Sequence, residues 1–202
     1  MAEETKGEGW MTWAKKKAMN WLVYSWWPKN AKLIILGLDN SGKSSLSYLL
    51  EHGALRTLEP TSKPTSAQFK IQGMKVTIHD MGGHAAARRL WKQYLNSEIQ
   101  GIVFVMDAGN PAHHHSDSDP YRWIEAKQEL SKILADDDLT KIPVLILLNK
   151  MDRYGQDADT RQSQAEGFLG LQPTDTRVKL FPCSVVHRQG YQDGFKWLST
   201  KI

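Results

Sequence analysis

From about residue 30 onward, short apolar runs alternate with amphipathic stretches along the whole chain. Leu33-Ile34-Ile35-Leu36 opens the series and predicts a strand over 32–36. Gly101-Ile102-Val103-Phe104-Val105-Met106 and Val144-Leu145-Ile146-Leu147-Leu148 carry no polar residue at alternate positions, so both faces must be buried. That is the signature of strands inside a parallel sheet covered on two sides, and it predicts strands over 101–106 and 143–148. Further strands are predicted over 67–71, 74–79 and 178–182. Only Gln72-Gly73 separates 67–71 from 74–79, which reads as an antiparallel hairpin at a sheet edge. Helical patterns fall over 43–51, 86–95, 121–135, 161–169 and 191–199. Together they predict a three-layer α/β domain over residues 31–202: a six-stranded, mostly parallel sheet with one antiparallel edge strand and helices on both faces. A ligand is expected at the carboxyl ends of the strands. No internal repeat is visible. The polar stretch 110–120 carries His113, His114 and His115; without a matching partner motif it reads as a solvated loop rather than a metal site.

Residues 1–30 follow a different pattern and are read as a separate amphipathic segment. Trp10, Trp13, Ala14, Ala18, Trp21 and Tyr24 share one helical face, while Lys15 and Lys16 project away from it and Lys17 intrudes. Trp26 and Trp27 follow, so five of the chain's eight tryptophans precede the domain. Tryptophan favours the membrane interface, and each lysine near anionic headgroups contributes ~1 kcal/mol. The expectation is an N-terminal amphipathic helix, residues 1–27, that both packs on its own domain and binds a membrane. No run reaches the ~18 apolar residues of a membrane span. Early Glu3, Glu4 and Glu8 exclude a signal peptide. Ala2 excludes myristoylation, and the ending Ser199-Thr200-Lys201-Ile202 excludes prenylation, so attachment is expected to be reversible.

Composition narrows the picture modestly. With 202 residues and 41% hydrophobic content, one domain of ordinary size has a real core. The single cysteine, Cys183, fits a reducing compartment and excludes an intrachain disulfide. A net charge of +4 without a basic stripe favours phosphates or an anionic membrane over nucleic acid.

Candidate chemistry begins directly after the first strand. Residues 37–45 read Gly-Leu-Asp-Asn-Ser-Gly-Lys-Ser-Ser, a G-x-x-x-x-G-K-S loop that opens a helix. Gly37 and Gly42 let the backbone wrap so that amides of Asp39, Asn40, Ser41, Gly42, Lys43, Ser44 and Ser45 turn toward phosphate oxygens. The helix N-terminus adds partial positive charge. Lys43 reaches the β- and γ-phosphates, and the Ser44 hydroxyl ligates Mg²⁺. Thr65, placed in irregular chain before the hairpin, can complete the metal shell. Asp80-Met81-Gly82-Gly83-His84 ends the strand 74–79. Asp80 can hold Mg²⁺ through water, Gly83 can bring its N–H to the γ-phosphate, and His84 can orient an attacking water. Asn149-Lys150-Met151-Asp152 follows 143–148. Asp152 can accept from both guanine N1–H and the exocyclic amine, which adenine cannot supply. Lys150 can cover the base, and Asn149 can tie the base loop to the phosphate loop. Cys183-Ser184-Val185-Val186 can offer amides and apolar contact to the base; Cys183 itself reads as an inert residue at a strand end.

Taken together these residues resemble those of small Ras-superfamily GTPases over residues 31–202, and within them the Arf/Sar branch. The marks are Gly-Leu-Asp-Asn in the phosphate loop and Asp-Met-Gly-Gly-His, with histidine where a glutamine is usual. Ala87-Arg88-Arg89-Leu90-Trp91-Lys92, Cys-Ser-Val-Val at the base loop, and Gly190-Tyr191 with Phe195-Lys196-Trp197-Leu198 are similar to Sar proteins, the GTPases of the COPII coat. The resemblance implies a P-loop GTPase fold and a GDP/GTP switch with Mg²⁺. It also implies a helix inserted into the endoplasmic reticulum membrane in the GTP form and recruitment of the COPII coat for transport to the Golgi. Its implied partners are an exchange factor in that membrane and inner-coat subunits, one of which supplies an arginine in trans for hydrolysis. The protein would then cycle between cytoplasm and the cytosolic face of the endoplasmic reticulum, COPII vesicles and Golgi membrane. The resemblance also puts Asp39 toward the metal through water and Arg88-Arg89 near the effector surface. Ser45, where Thr is frequent, and Ser62-Lys63 before Thr65 depart from the pattern.

Three other readings compete. An Arf-like GTPase could act at another membrane. A metabolic P-loop kinase would leave Asn149, Lys150 and Asp152 without a purpose. A nucleotide-locked scaffold would leave His84 without one.

Overall fold

The computed structural model describes residues 30–56, 65–71, 74–96, 98–109, 121–154 and 157–202. The N-terminal segment up to 29, Ser62-Lys63, the Gln72-Gly73 connection and the histidine-bearing stretch 110–120 lie outside the described residues. Six strands form one sheet: β1 (Asn30–Leu36), β2 (Thr65–Ile71), β3 (Met74–Asp80), β4 (Gly101–Asp107), β5 (Val144–Asn149) and β6 (Val178–Pro182). The order is β2-β3-β1-β4-β5-β6, with β2–β3 antiparallel and all other pairs parallel.

Every residue of β4 through Met106 and every residue of β5 is buried, because both faces of the sheet are covered. Alternate residues feed two separate cores. Ile34, Leu36, Ile102, Phe104, Ile146 and Leu148 point to one face. They pack there with Trp123, Ala126 and Leu130 of α4 (Tyr121–Leu134) and Ala165 of α5 (Ala158–Leu169). Leu33, Ile35, Val103, Val105, Leu145 and Leu147 point to the other. They meet Leu46 and Leu49 of α1 (Lys43–His52) and Phe195 and Leu198 of α6 (Tyr191–Ser199). This is the three-layer arrangement that the continuous apolar runs require.

Two expectations need correction. The helix expected over 86–95 is broken into α2 (Ala85–Arg88) and α3 (Trp91–Tyr94). Leu90 N–H donates to Ala87 O, a tightened turn, and the buried Trp91 indole donates to Gly82 O at 3.1 Å. Burying that indole with its N–H satisfied outweighs continuing a regular helix. The second concerns Thr65, which is the first residue of β2 rather than part of irregular chain. Strand β3 runs on to Asp80, whose backbone faces Thr65 across the antiparallel ladder and draws it into the sheet.

Between β1 and its neighbours β3 and β4 the chain order reverses. Connections leave the sheet in opposite directions there, opening a crevice at the carboxyl ends of the strands. Asp80, Asp107 and Asn149 are the last residues of β3, β4 and β5, so all end at this edge. Thr65 joins them because its strand runs the other way.

Candidate functional site

The phosphate loop spans the gap between β1 and α1. Its tight course depends on two close approaches. Gly42 has φ 96°, and a Cβ there would collide with the Asn149 side-chain amide. Gly83 lies directly against the Leu38–Asp39 backbone, leaving no room for a Cβ. The segment that carries His84 therefore rests on the phosphate loop itself.

Lys43 is buried, and its ammonium donates to Leu38 O at 2.8 Å, across the curve of the loop. Burial pushes it down to about 8, against the opposing pull of Asp80 and Asp39. Asp80 is also buried, and burial raises its carboxyl above the usual range although a hydrogen bond from Ser44 and the charge of Lys43 work the other way. Its Oδ1 has no hydrogen-bond partner. A buried carboxylate oxygen without a partner, next to a serine hydroxyl and an ammonium, is a costly arrangement in an isolated loop. It is what a site for a polyphosphate and a divalent cation requires.

Asp39, whose charge also reaches Lys43, pairs with Arg122 of α4. Its Oδ1 accepts from Arg122 Nη1 at 2.8 Å, and its backbone carbonyl accepts from Arg122 Nη2. Partial burial pushes the Asp39 carboxyl up, but the Arg122 hydrogen bond and charge outweigh it and hold the group below its ordinary value. The sequence reading, which turned Asp39 toward the metal, did not foresee this partner. His84 is exposed and stands at the N-cap of α2. Thr65 is exposed at the same edge.

At the other end of the crevice Asn149 joins two loops. Its Nδ2 donates to Ser41 O at 2.9 Å, and its Oδ1 accepts from Val185 N–H at 3.0 Å. The Val185 amide thus lies where the base loop meets Asn149. Ser184 N–H donates to Gln189 O. Val185 is buried, whereas Val186 is 61% exposed on the rim. Lys150 has φ 68° and pairs with Asp107 Oδ2 at 2.8 Å. Asp152 is exposed and accepts from Ser184 Oγ. That bond orients one carboxylate oxygen and leaves the other for a ligand. Burial pushes the Cys183 thiol up to about 12, in keeping with an inert residue.

Asn40, Ser41, Gly42, Lys43, Ser44, Ser45, Thr65, Asp80 and Gly83 thus border one half of the crevice, and Asn149, Lys150, Asp152 and Val185 the other. Sequence reasoning missed Arg122, Asp107 and the bond from the Ser184 hydroxyl to Asp152. An aspartate closing an apolar strand run was a usable signal for Asp107, by analogy with Asp80. Nothing local marks Arg122.

Comparison with known proteins agrees with this geometry. The model of the ADP-ribosylation factor family matches residues 17–202. The small COPII coat GTPase SAR1 of Giardia intestinalis is 37% identical over 182 residues, covering 85% of this chain and 89% of that protein. The SAR1 of Nicotiana tabacum is 34% identical over 191 residues, covering 87% and 91%. Among solved structures, the Arl6 BBS3 small GTPase from Trypanosoma brucei with bound nucleotide analogue GppNp superposes with a TM-score of 0.70 at 25% identity, over 85% of this chain and 96% of that one. The chain belongs to the ADP-ribosylation factor family, standing with its SAR1 members, and is a small GTPase that binds guanine nucleotide and hydrolyses GTP.

Proposed function

We propose that this GTPase is a membrane-recruiting switch of the SAR1 kind, which attaches to the endoplasmic reticulum through residues 1–27 when GTP is bound and gathers COPII inner-coat subunits for transport toward the Golgi. The observation that carries the switch is Gly83 seated against Leu38 and Asp39. A terminal phosphate added or lost beside the loop must move the segment that ends in His84. The SAR1 relatives and the tryptophan-rich start support the membrane and coat assignments. Exchange would be driven by a factor resident in that membrane, with the protein cycling between cytoplasm and membrane.

Within the site, Lys43 and the loop amides bind the phosphates, and Asp152 reads the guanine edge. His84 orients the attacking water, while an inner-coat subunit contributes an arginine. Ser44, Thr65 and Asp80 would hold Mg²⁺, with Asp39 joining through water. The unpartnered Asp80 Oδ1 fits that ion. When bound, Mg²⁺ neutralises charge on the β- and γ-phosphates.

Liposome flotation of the full chain with GDP or a non-hydrolysable GTP analogue tests the proposal. Flotation is expected only with the analogue, increased by inner-coat subunits and abolished by removing residues 1–27. Equal flotation of the shortened chain would overturn the membrane role. The 29% identity to ADP-ribosylation factor K of Dictyostelium discoideum favours the second reading, an Arf-like GTPase at another membrane. Analogue-dependent flotation without any response to inner-coat subunits would select it.

A further inference from the structure

Arg122 and Glu125 stand one turn apart on α4, and neither belongs to a nucleotide-binding motif. Arg122 grips Asp39 twice, through the carboxylate at 2.8 Å and through the backbone carbonyl. The next residue, Asn40, has φ 55°, a left-handed turn that asparagine accommodates and that reverses the chain beside Asp39. Gly83 leans on the same Asp39 backbone. A lone exposed ion pair contributes little. A guanidinium that fixes both the side chain and the carbonyl of one turn residue instead sets the course of the loop.

We propose that Arg122 is a positioning residue for nucleotide retention: by holding Asp39 at two points, it keeps the loop's amides turned inward and keeps the Asp39 charge off the bound phosphates. Without it, the Asp39–Asn40 turn is free to relax and an uncompensated carboxylate faces the polyphosphate. The inference rests on the nucleotide reading of the loop.

The test uses the full chain loaded with fluorescent GDP and chased with unlabelled GDP, for the wild type, Arg122→Ala, Arg122→Gln and Arg122→Lys. Arg122→Ala is expected to release GDP about tenfold faster. Arg122→Lys should fall between, because an ammonium supplies the charge but cannot hold both oxygens in one plane. The melting midpoint of the nucleotide-free protein should stay near wild type, which separates positioning from loss of fold. Arg122→Gln carries the measurement if the alanine variant does not fold. Wild-type retention with unchanged release from the variants overturns the clamp alone. Full restoration by Arg122→Lys overturns the two-point grip. A wild-type chain that retains no GDP overturns the nucleotide reading and the clamp with it.

Discussion

Lys43 shows how a single side chain links protonation to ligand. Burial holds its ammonium at about 8, below the ordinary 10.5. Bound phosphates favour the charged form, so binding takes up a proton wherever the free site has lost one. Guanine-nucleotide affinity is therefore expected to fall as pH climbs above 8, by up to about tenfold per unit. Dissociation constants at pH 7, 8 and 9 check this, and a flat profile would contradict it. The sign for stability is opposite. Between 8 and 10.5 the unfolded chain binds more protons at this group, so the nucleotide-free fold gains stability as pH rises through that window. His84 presents the simpler case. Exposed at the head of α2, it makes no capping bond with its side chain, and its carbonyl still accepts from Ala87 and Arg88 after substitution. If His84 orients the attacking water as proposed, His84→Gly is expected to leave GTP binding intact and to slow stimulated hydrolysis by about a hundredfold, the usual worth of one positioned acid-base group. Single-turnover assays with the activating subunit decide it; equal rates would remove His84 from the reaction.

Among the elements, α4 acts as a bracket. Arg122 holds the phosphate loop, and Glu125 Oε1 accepts from Arg88 Nη2 on α2 at 2.5 Å. Arg88 is largely buried and its Nη1 has no hydrogen-bond partner, so the pair with Glu125 is what compensates its charge. Leaving such a cation unpaired costs about 1–3 kcal/mol. Glu125→Gln keeps a hydrogen-bond acceptor but removes the charge. It is expected to loosen α2, slowing stimulated hydrolysis severalfold while GDP affinity stays within about twofold of wild type. Parallel measurement of turnover and GDP affinity tests this. A matched loss of both would show that α4 supports the whole site and not α2 in particular. The strands and long helices around the bracket were legible in the sequence because their periodicity is dictated by burial. The break between α2 and α3 was not. It depends on the Trp91 indole finding Gly82 O, a contact with no periodic trace.

For the whole molecule, the sheet order is what converts motifs into a site. Asp80, Asp107 and Asn149 are distant in sequence, yet each ends a strand on the same edge. Continuous apolar runs and the positions of Gly42, Gly83 and Asp152 were sufficient to expect a three-layer domain and a nucleotide crevice from the chain alone. Local spacing determines those features, since strand burial, close backbone approach and side-chain chemistry are set within a few residues. What only the tertiary structure decided are the partners reached across the fold. Arg122 pairs with Asp39, Asn149 bridges Ser41 O and the Val185 amide, and β3 draws Thr65 into the sheet. Each is a choice among polar partners of similar chemistry, and it is settled by which ones the packed layers bring within hydrogen-bond distance, a quantity that no local pattern encodes.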